Sequence, residues 1–296
     1  DMAQMTGFDD GEEETVINLT VKPGMKQGWF GNAYGGYGSK DRYEGNAMVN
    51  RFVNNDQITF MGGANNTNNM GFSDLASTMF SGMGGGGGRR GGFGAGSGIT
   101  SSGNAGLNFS KEFKPDKLTL GGNTRYSHSD NDARSKSERQ NILPGASSSY
   151  DNSEAMSRTK SDNFGVDFRL EWKPDTMTQL IFRPSFSLSH SMNDNFSDAT
   201  TLDNERDTVN TNKSSNYSES NGYNLNASID FSRKLNNKGR VFSATLSGGN
   251  SDSYSDGMNR SDIVYFNQTD ALKNSIIDQR SRYDNKGFNY RAYVSW

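Results

Sequence analysis

Residues 163–172 alternate without a break: Phe164, Val166, Phe168, Leu170 and Trp172 hold one parity, and Gly165, Asp167, Arg169 and Glu171 the other. Successive strand side chains point to opposite faces, so this segment builds a strand with one apolar and one charged side. The pattern recurs in Leu180, Phe182, Pro184, Phe186 and Leu188, set against Gln179, Ile181, Arg183, Ser185 and Ser187. It returns in Tyr223, Leu225, Ala227, Ile229 and Phe231, and again in Phe288, Tyr290, Ala292, Val294 and Trp296. Residues 118–128 and 241–248 follow it more loosely. Each run lasts about nine to eleven residues, the length of a tilted strand that crosses a bilayer. Strands of a soluble sandwich, the main competing fold beside a β-solenoid, are typically about 5–6 residues long.

The charges obey the same parity. A charged side chain facing lipid at mid-depth costs about 2–4 kcal/mol. Arg125, Asp167, Arg169, Glu171, Arg183, Asp230 and Arg291 all fall on the polar side, as a water-lined lumen requires. Arg169 and Arg183, on neighbouring strands, stand within reach of Asp167 and Glu171. This set suits contact with a plug or a polar solute, or a hydrated ladder that keeps the lumen wet.

Four polar turns punctuate the strands, beginning at Asn54, Lys114, Lys173 and Asn236, at intervals of 60, 59 and 63 residues. Phe113, Trp172 and Phe231 precede three of them and Trp296 stands last. Aromatic rings at one level with short connections read as a girdle at the periplasmic headgroups. The expected strands are 27–39, 42–53, 57–65, 103–113, 117–129, 158–172, 177–191, 217–233, 239–253 and 280–296. Between them on the opposite side run long polar stretches, 66–102, 130–157, 192–216 and 254–279, expected as exterior loops, and a very short one near 39–42. Pro184 removes a ladder hydrogen bond and predicts a bulge or weak point in its strand. Phe72 to Met79 has the best helical spacing and suits one short turn of helix.

Composition agrees once a wet lumen is allowed. Only 31% of the 296 residues are hydrophobic and mean hydropathy is -0.85, poor for a packed core but ordinary for half-polar strands. The 11% aromatic content argues against disorder. A net charge of -3 gives no reason to expect a nucleic-acid partner. Absent cysteine removes disulfides and thiolate chemistry. No stretch approaches the roughly 18 apolar residues of a membrane helix. The first residues, Asp1-Met2-Ala3-Gln4, lack the basic start and apolar run of a signal peptide.

Other motifs carry little chemistry. The run Gly82–Gly98 with Arg89-Arg90 lacks the lysine and the helix of a phosphate loop and reads as an exterior loop, whose arginines suit an anionic ligand or lipopolysaccharide. Asp130-Asn131-Asp132 and Asn193-Asp194-Asn195 offer oxygen ligands for calcium without the spacing of a calcium loop, so solvated loops are the stronger reading. His128, on the lipid-facing parity near the outer rim, and His190 read as interfacial residues rather than metal ligands. No Ser/His/Asp arrangement supports catalysis, so neither an enzyme nor a cofactor is expected.

Residues 8–35 add a resemblance. Asp9-Asp10-Gly11-Glu12-Glu13-Glu14, then Ile17-Asn18-Leu19, Lys22-Pro23-Gly24 and Trp29-Phe30-Gly31-Asn32 resemble the plug-to-barrel junction of TonB-dependent receptor-like outer-membrane proteins of the Bacteroidota type. The resemblance implies that 1–26 is the end of a plug and 27–296 barrel wall. It implies a bacterial outer-membrane transporter that takes up a ligand captured by its exterior loops, with a plug domain, the TonB machinery and outer-membrane lipid as partners. The family's barrels have about twenty-two strands and a long plug, so a transmembrane antiparallel up-and-down β-barrel represented by about ten strands of a larger wall is expected. A self-contained ten-stranded barrel is the alternative architecture. A structural or assembly subunit of an outer-membrane complex, in contact with a surface lipoprotein or other subunits, is the alternative function.

Overall fold

The computed structural model describes residues 27–68, 98–142, 148–236, 239–266 and 274–296. They form ten strands: β1 (Gln27–Tyr37), β2 (Tyr43–Val53), β3 (Asp56–Asn65), β4 (Ile99–Lys114), β5 (Leu118–Asn141), β6 (Ser149–Trp172), β7 (Thr178–Leu202), β8 (Thr208–Lys234), β9 (Val241–Tyr265) and β10 (Asn274–Ser295). Each pairs antiparallel with the next, in one sheet ordered as the chain runs. No helix occurs among the described residues. Nor does β1 pair with β10 among them, so the sheet is an open, partial barrel rather than a closed ten-stranded one. Residues 1–26, Phe72 to Met79 and the glycine run up to residue 97 lie outside the described residues.

The four turns lie together at one end. Asn54 takes a left-handed conformation (φ 57°) between β2 and β3, a backbone state that asparagine tolerates. In the β4–β5 turn Pro115 presets φ, Asp116 is left-handed (φ 58°), and the Lys117 amide donates to the Lys114 carbonyl at 3.0 Å. Asp175 accepts the Met177 amide at 2.8 Å. Asn236 accepts the Arg240 amide at 3.2 Å. These side chains close their own turns, as short polar residues do.

The turns are staggered along the register. Phe52, one residue from the end of β2, lies in the same hydrogen-bonded row as Ser110, four from the end of β4. Leu170, two from the end of β6, shares its row with Ile229, five from the end of β8. Such a drift is what tilted strands of a barrel wall produce.

Strand length departs from expectation. β5 to β9 run 24, 24, 25, 27 and 25 residues. Most of the stretches expected as loops, 130–157, 192–216 and 254–279, is therefore paired strand. Of the described residues in these stretches only 142, 148, 203–207 and 266 stand outside the strands. Both faces there are polar, so no apolar alternation announces a strand, yet the backbone ladder closes without it. Pro184 makes the weak point expected of it, without a bulge. Pairing skips the Phe168-Arg169 positions opposite it and resumes in the same register from Leu170↔Phe182 to Asp167↔Ser185.

One face is inner. Asn46, Met48, Asn50, Thr59, Met61, Asn108, Asn123, Ile181 and Ser232 are buried, and the register places all of them on one side. A single-layer sheet buries one side only by curling around it. Met48 and Met61 face each other across the ladder and form, with Ile181, the small apolar part of that concavity.

Candidate functional site: a charged inner face and an apolar outer band

The structure brings most of the seven expected charges into pairs on the inner face. Asp167 of β6 accepts from Arg125 of β5 at 2.5 Å, and Arg125 also donates to Asn123 at 3.0 Å. Arg169 reaches Glu171 on its own strand at 3.2 Å. Glu171 further receives Lys173 at 2.8 Å and the Gln179 amide at 2.8 Å. Arg183 turns the other way, to β8: it donates to Asp230, which also accepts the Thr245 hydroxyl at 2.9 Å. Arg183 thus leaves Asp167 and Glu171 to other partners, because Ile181 and Ser185, not Arg183, stand opposite those two carboxylates. Arg291, opposite Ser247 on the same face, has no ion pair among the described residues.

The outer face carries an apolar band of uniform height. Leu118 to Tyr126, Phe164 to Trp172, Leu180 to Leu188, Tyr223 to Phe231 and Phe288 to Trp296 each supply five outward positions over nine residues. Nine residues span about 26 Å along a strand. Phe288 and Trp296 are 74% and 97% exposed, on the edge strand. Gly122 lets two rings meet over the sheet: Phe109 and Phe168 stack edge-on at 6.4 Å, and a Cβ on Gly122 would come within 2.9 Å and 2.7 Å of them. Of the four expected girdle residues, Trp172, Phe231 and Trp296 lie on the outer side near the turn edge. Phe113 sits at a register shift between Glu112 and Lys114. Phe231 stacks edge-on against Phe242 at 6.3 Å.

The outer face changes character one row above the band. Tyr126 gives way to His128, Phe164 to Asp162 and Leu188 to His190. The Tyr126 hydroxyl donates to Asp162 at 2.6 Å, His128 Nδ1 stands 2.8 Å from the same carboxylate, and His190 Nδ1 stands 2.8 Å from Asn221. Tyr126, Phe164, Leu188, Tyr223 and Tyr254 line an open outward groove at this level. From here β7 runs 14 further residues to Leu202, about 46 Å along the strand.

In that upper part the Asp130-Asn131-Asp132 and Asn193-Asp194-Asn195 triplets lie within β5 and β7, where neighbouring side chains diverge to opposite faces. Asp130 is held outward by Arg158 at 3.0 and 2.7 Å and by Lys160 at 3.8 Å, while Asn131 donates to Thr100 at 2.8 Å. The triplets therefore do not converge on a cation.

The Arg158 guanidinium holds the Asp130 carboxyl below the usual carboxylate range. Asp151 is lowered by hydrogen bonds from Asn141 and Thr201 and by Arg139. A depressed carboxylate contributes stability that is complete above its unfolded value, about pH 3.9, and is lost as pH falls through the lower folded value. Acidification from pH 7 to 3 is thus expected to raise hydrogen exchange in residues 128–160 before residues 118–126 respond, after correction for intrinsic rates. Equal changes in both stretches would contradict this.

The inner polar set was readable from parity alone. Two outward contacts were not: Arg51 lies over the Trp29 ring at 5.5 Å and Arg282 over Tyr254 at 4.8 Å; Lys111 also lies over a ring, Phe113, at 5.4 Å. Parity would place Lys111 outward beside Phe113, but Arg51 and Trp29 meet only through the β1–β2 register.

No protein-family model matches the chain, and no curated protein matches it. Among solved structures, it is similar to the ferric yersiniabactin uptake receptor FyuA from Yersinia pestis, with a TM-score of 0.21 and 9% identity. The match covers 90% of this chain and 44% of that one, so the chain spans less than half of the receptor's length. The likeness is too distant to assign a family.

Proposed function

We propose that this chain forms part of the wall of a bacterial outer-membrane transporter, a TonB-dependent receptor-like barrel that takes up a ligand captured by its tall exterior hairpins. The observation that carries the reading is the outer apolar band, nine residues high on every strand from β5 to β8 and on β10. It matches the roughly nine to eleven residues with which a tilted strand crosses a bilayer. The polar inner face, lined by Arg125, Asp167, Arg169, Glu171, Arg183, Asp230 and Arg291, is the lumen wall, where a plug or a polar solute makes contact. The turn end is periplasmic, with Phe113, Trp172, Phe231 and Trp296 at headgroup level. The hairpins of β5 to β9 are exterior. The open edges at β1 and β10 have to be covered by further strands, because unpaired backbone is not tolerated in lipid. The TonB-linked part of the reading rests on the junction-like sequence of residues 8–35. A non-transporting structural subunit shares every feature of the wall and differs only in having no uptake to measure.

The cysteine-free sequence permits a direct test of orientation. Glu205→Cys in the β7–β8 connection is expected to react with a membrane-impermeant maleimide on intact cells. Thr176→Cys in the β6–β7 turn is expected to react only after the outer membrane is opened. The reverse pattern, or a protein recovered without membranes, would sink the proposal. Uptake of candidate ligands by cells with and without the protein then separates transporter from structural subunit.

A further inference from the structure

We propose that Arg51 and Lys111, on the outer face at the turn edge of β2 and β4, bind the phosphate of an anionic phospholipid headgroup. The inference rests on the membrane-wall reading above. Both side chains lie outward: Arg51 pairs in register with Trp29 and Ile58, and Lys111 with Leu120. Arg51 stands two residues from the end of β2 in the row of Ile58 and Phe109, and Lys111 stands two residues nearer the turn than Phe109, three from the end of β4. Each cation is laid over an aromatic ring, Trp29 at 5.5 Å and Phe113 at 5.4 Å, which holds the charge at the level of the ring.

Neither cation has a carboxylate in ion-pair range among the described residues. The carboxylates of this corner are engaged by neutral donors instead. Asp56 accepts the Glu112 amide at 2.9 Å, and Glu112 accepts the Asp116 amide at 2.6 Å and the Asn55 side chain. The opposite edge of the band is built differently. There Arg158 and Lys160 share Asp130, and Lys286 meets Asp252. Among the described residues these two cations are therefore not ion-paired, and Asp56, on the outward parity between them, is held by the Glu112 amide.

Directly above this pair the outer face is apolar, with Ile58, Phe60 and Leu107 exposed. A ligand that carries a phosphate and acyl chains complements both surfaces at once; free phosphate complements only the cations. A basic residue near a membrane surface attracts anionic lipid appreciably, and screening weakens the effect.

The test uses the full chain in phosphatidylcholine vesicles with a trace of spin-labelled phosphatidylglycerol or, separately, spin-labelled phosphatidylcholine. The motionally restricted fraction reports contact with the protein. Wild type is expected to prefer phosphatidylglycerol by about threefold, and R51Q/K111Q to bring the ratio to about one. R158Q, which removes a paired cation from the opposite edge, is expected to keep the wild-type preference. A double variant that retains the preference, an R158Q variant that loses it equally, or abolition by free glycerol phosphate would overturn the proposal. Restricted lipid of neither kind would instead overturn the membrane reading, which keeps the two failures distinct. Unchanged β-type circular dichroism of R51Q/K111Q confirms that the variant folds.

Discussion

Leu225→Arg is expected to weaken folding into a bilayer by about 1–3 kcal/mol relative to Leu225→Ala, since Leu225 stands between mid-depth and the upper interface. Leu225 lies on the outer face between Phe186 of β7 and Asn250 of β9, within the apolar band, and is 48% exposed. Asn226→Arg, one residue on and at an exposed position of the inner face, is expected to change stability by less than about 1 kcal/mol, since lumen water solvates the charge there. Urea titrations of the protein in phosphatidylcholine vesicles, followed by the fluorescence of its three tryptophans, read both values. Equal costs for the two arginines would mean that the outer face does not meet lipid. The comparison places the same charge on the same strand one position apart, so only the side of the sheet differs.

Asp230→Ala is the second large effect, with an expected loss of about 3 kcal/mol. Asp230 accepts hydrogen bonds from Arg183 and Thr245, and its side chain is 14% exposed. Removing it strands a guanidinium whose Nε is already buried without a hydrogen-bond partner. The loss belongs mainly to the orphaned charge rather than to the pair, so Arg183→Met added to Asp230→Ala is expected to restore most of the stability. The same urea titrations decide it. A neutral Asp230→Ala, or a double variant worse than the single one, would show that the pair does not organise the β7–β8 wall.

Together these variants probe the two sides of one sheet. The outer band sets where the wall can sit, and the inner charges set what it can face. In the proposed transporter the second determines contact with plug or solute, while the first and the turn-edge cations determine contact with lipid.

The parity of Phe164 to Trp172 and its repeats settled that these segments are strands and which side chains share a face. These are local properties: a period of two depends only on neighbouring residues. The turns at Asn54, Lys114, Lys173 and Asn236 were equally local, since proline, asparagine and aspartate close them with their own backbones and side chains. Other features depended on partners distant in the chain. The Ser- and Asn-rich continuations of β5 to β9 carry no apolar signal, and it is the ladder to the next strand that makes them strands rather than loops. Arg183 meets Asp230 rather than Asp167 because Ser185 occupies the place opposite Asp167. Arg51 lies over Trp29 because the β1–β2 hairpin sets them side by side. Sequence by itself determined the faces of this protein. Only the tertiary structure decided the extent of its strands, its charge pairs and its open edges, because each follows from which residue the register places across the ladder.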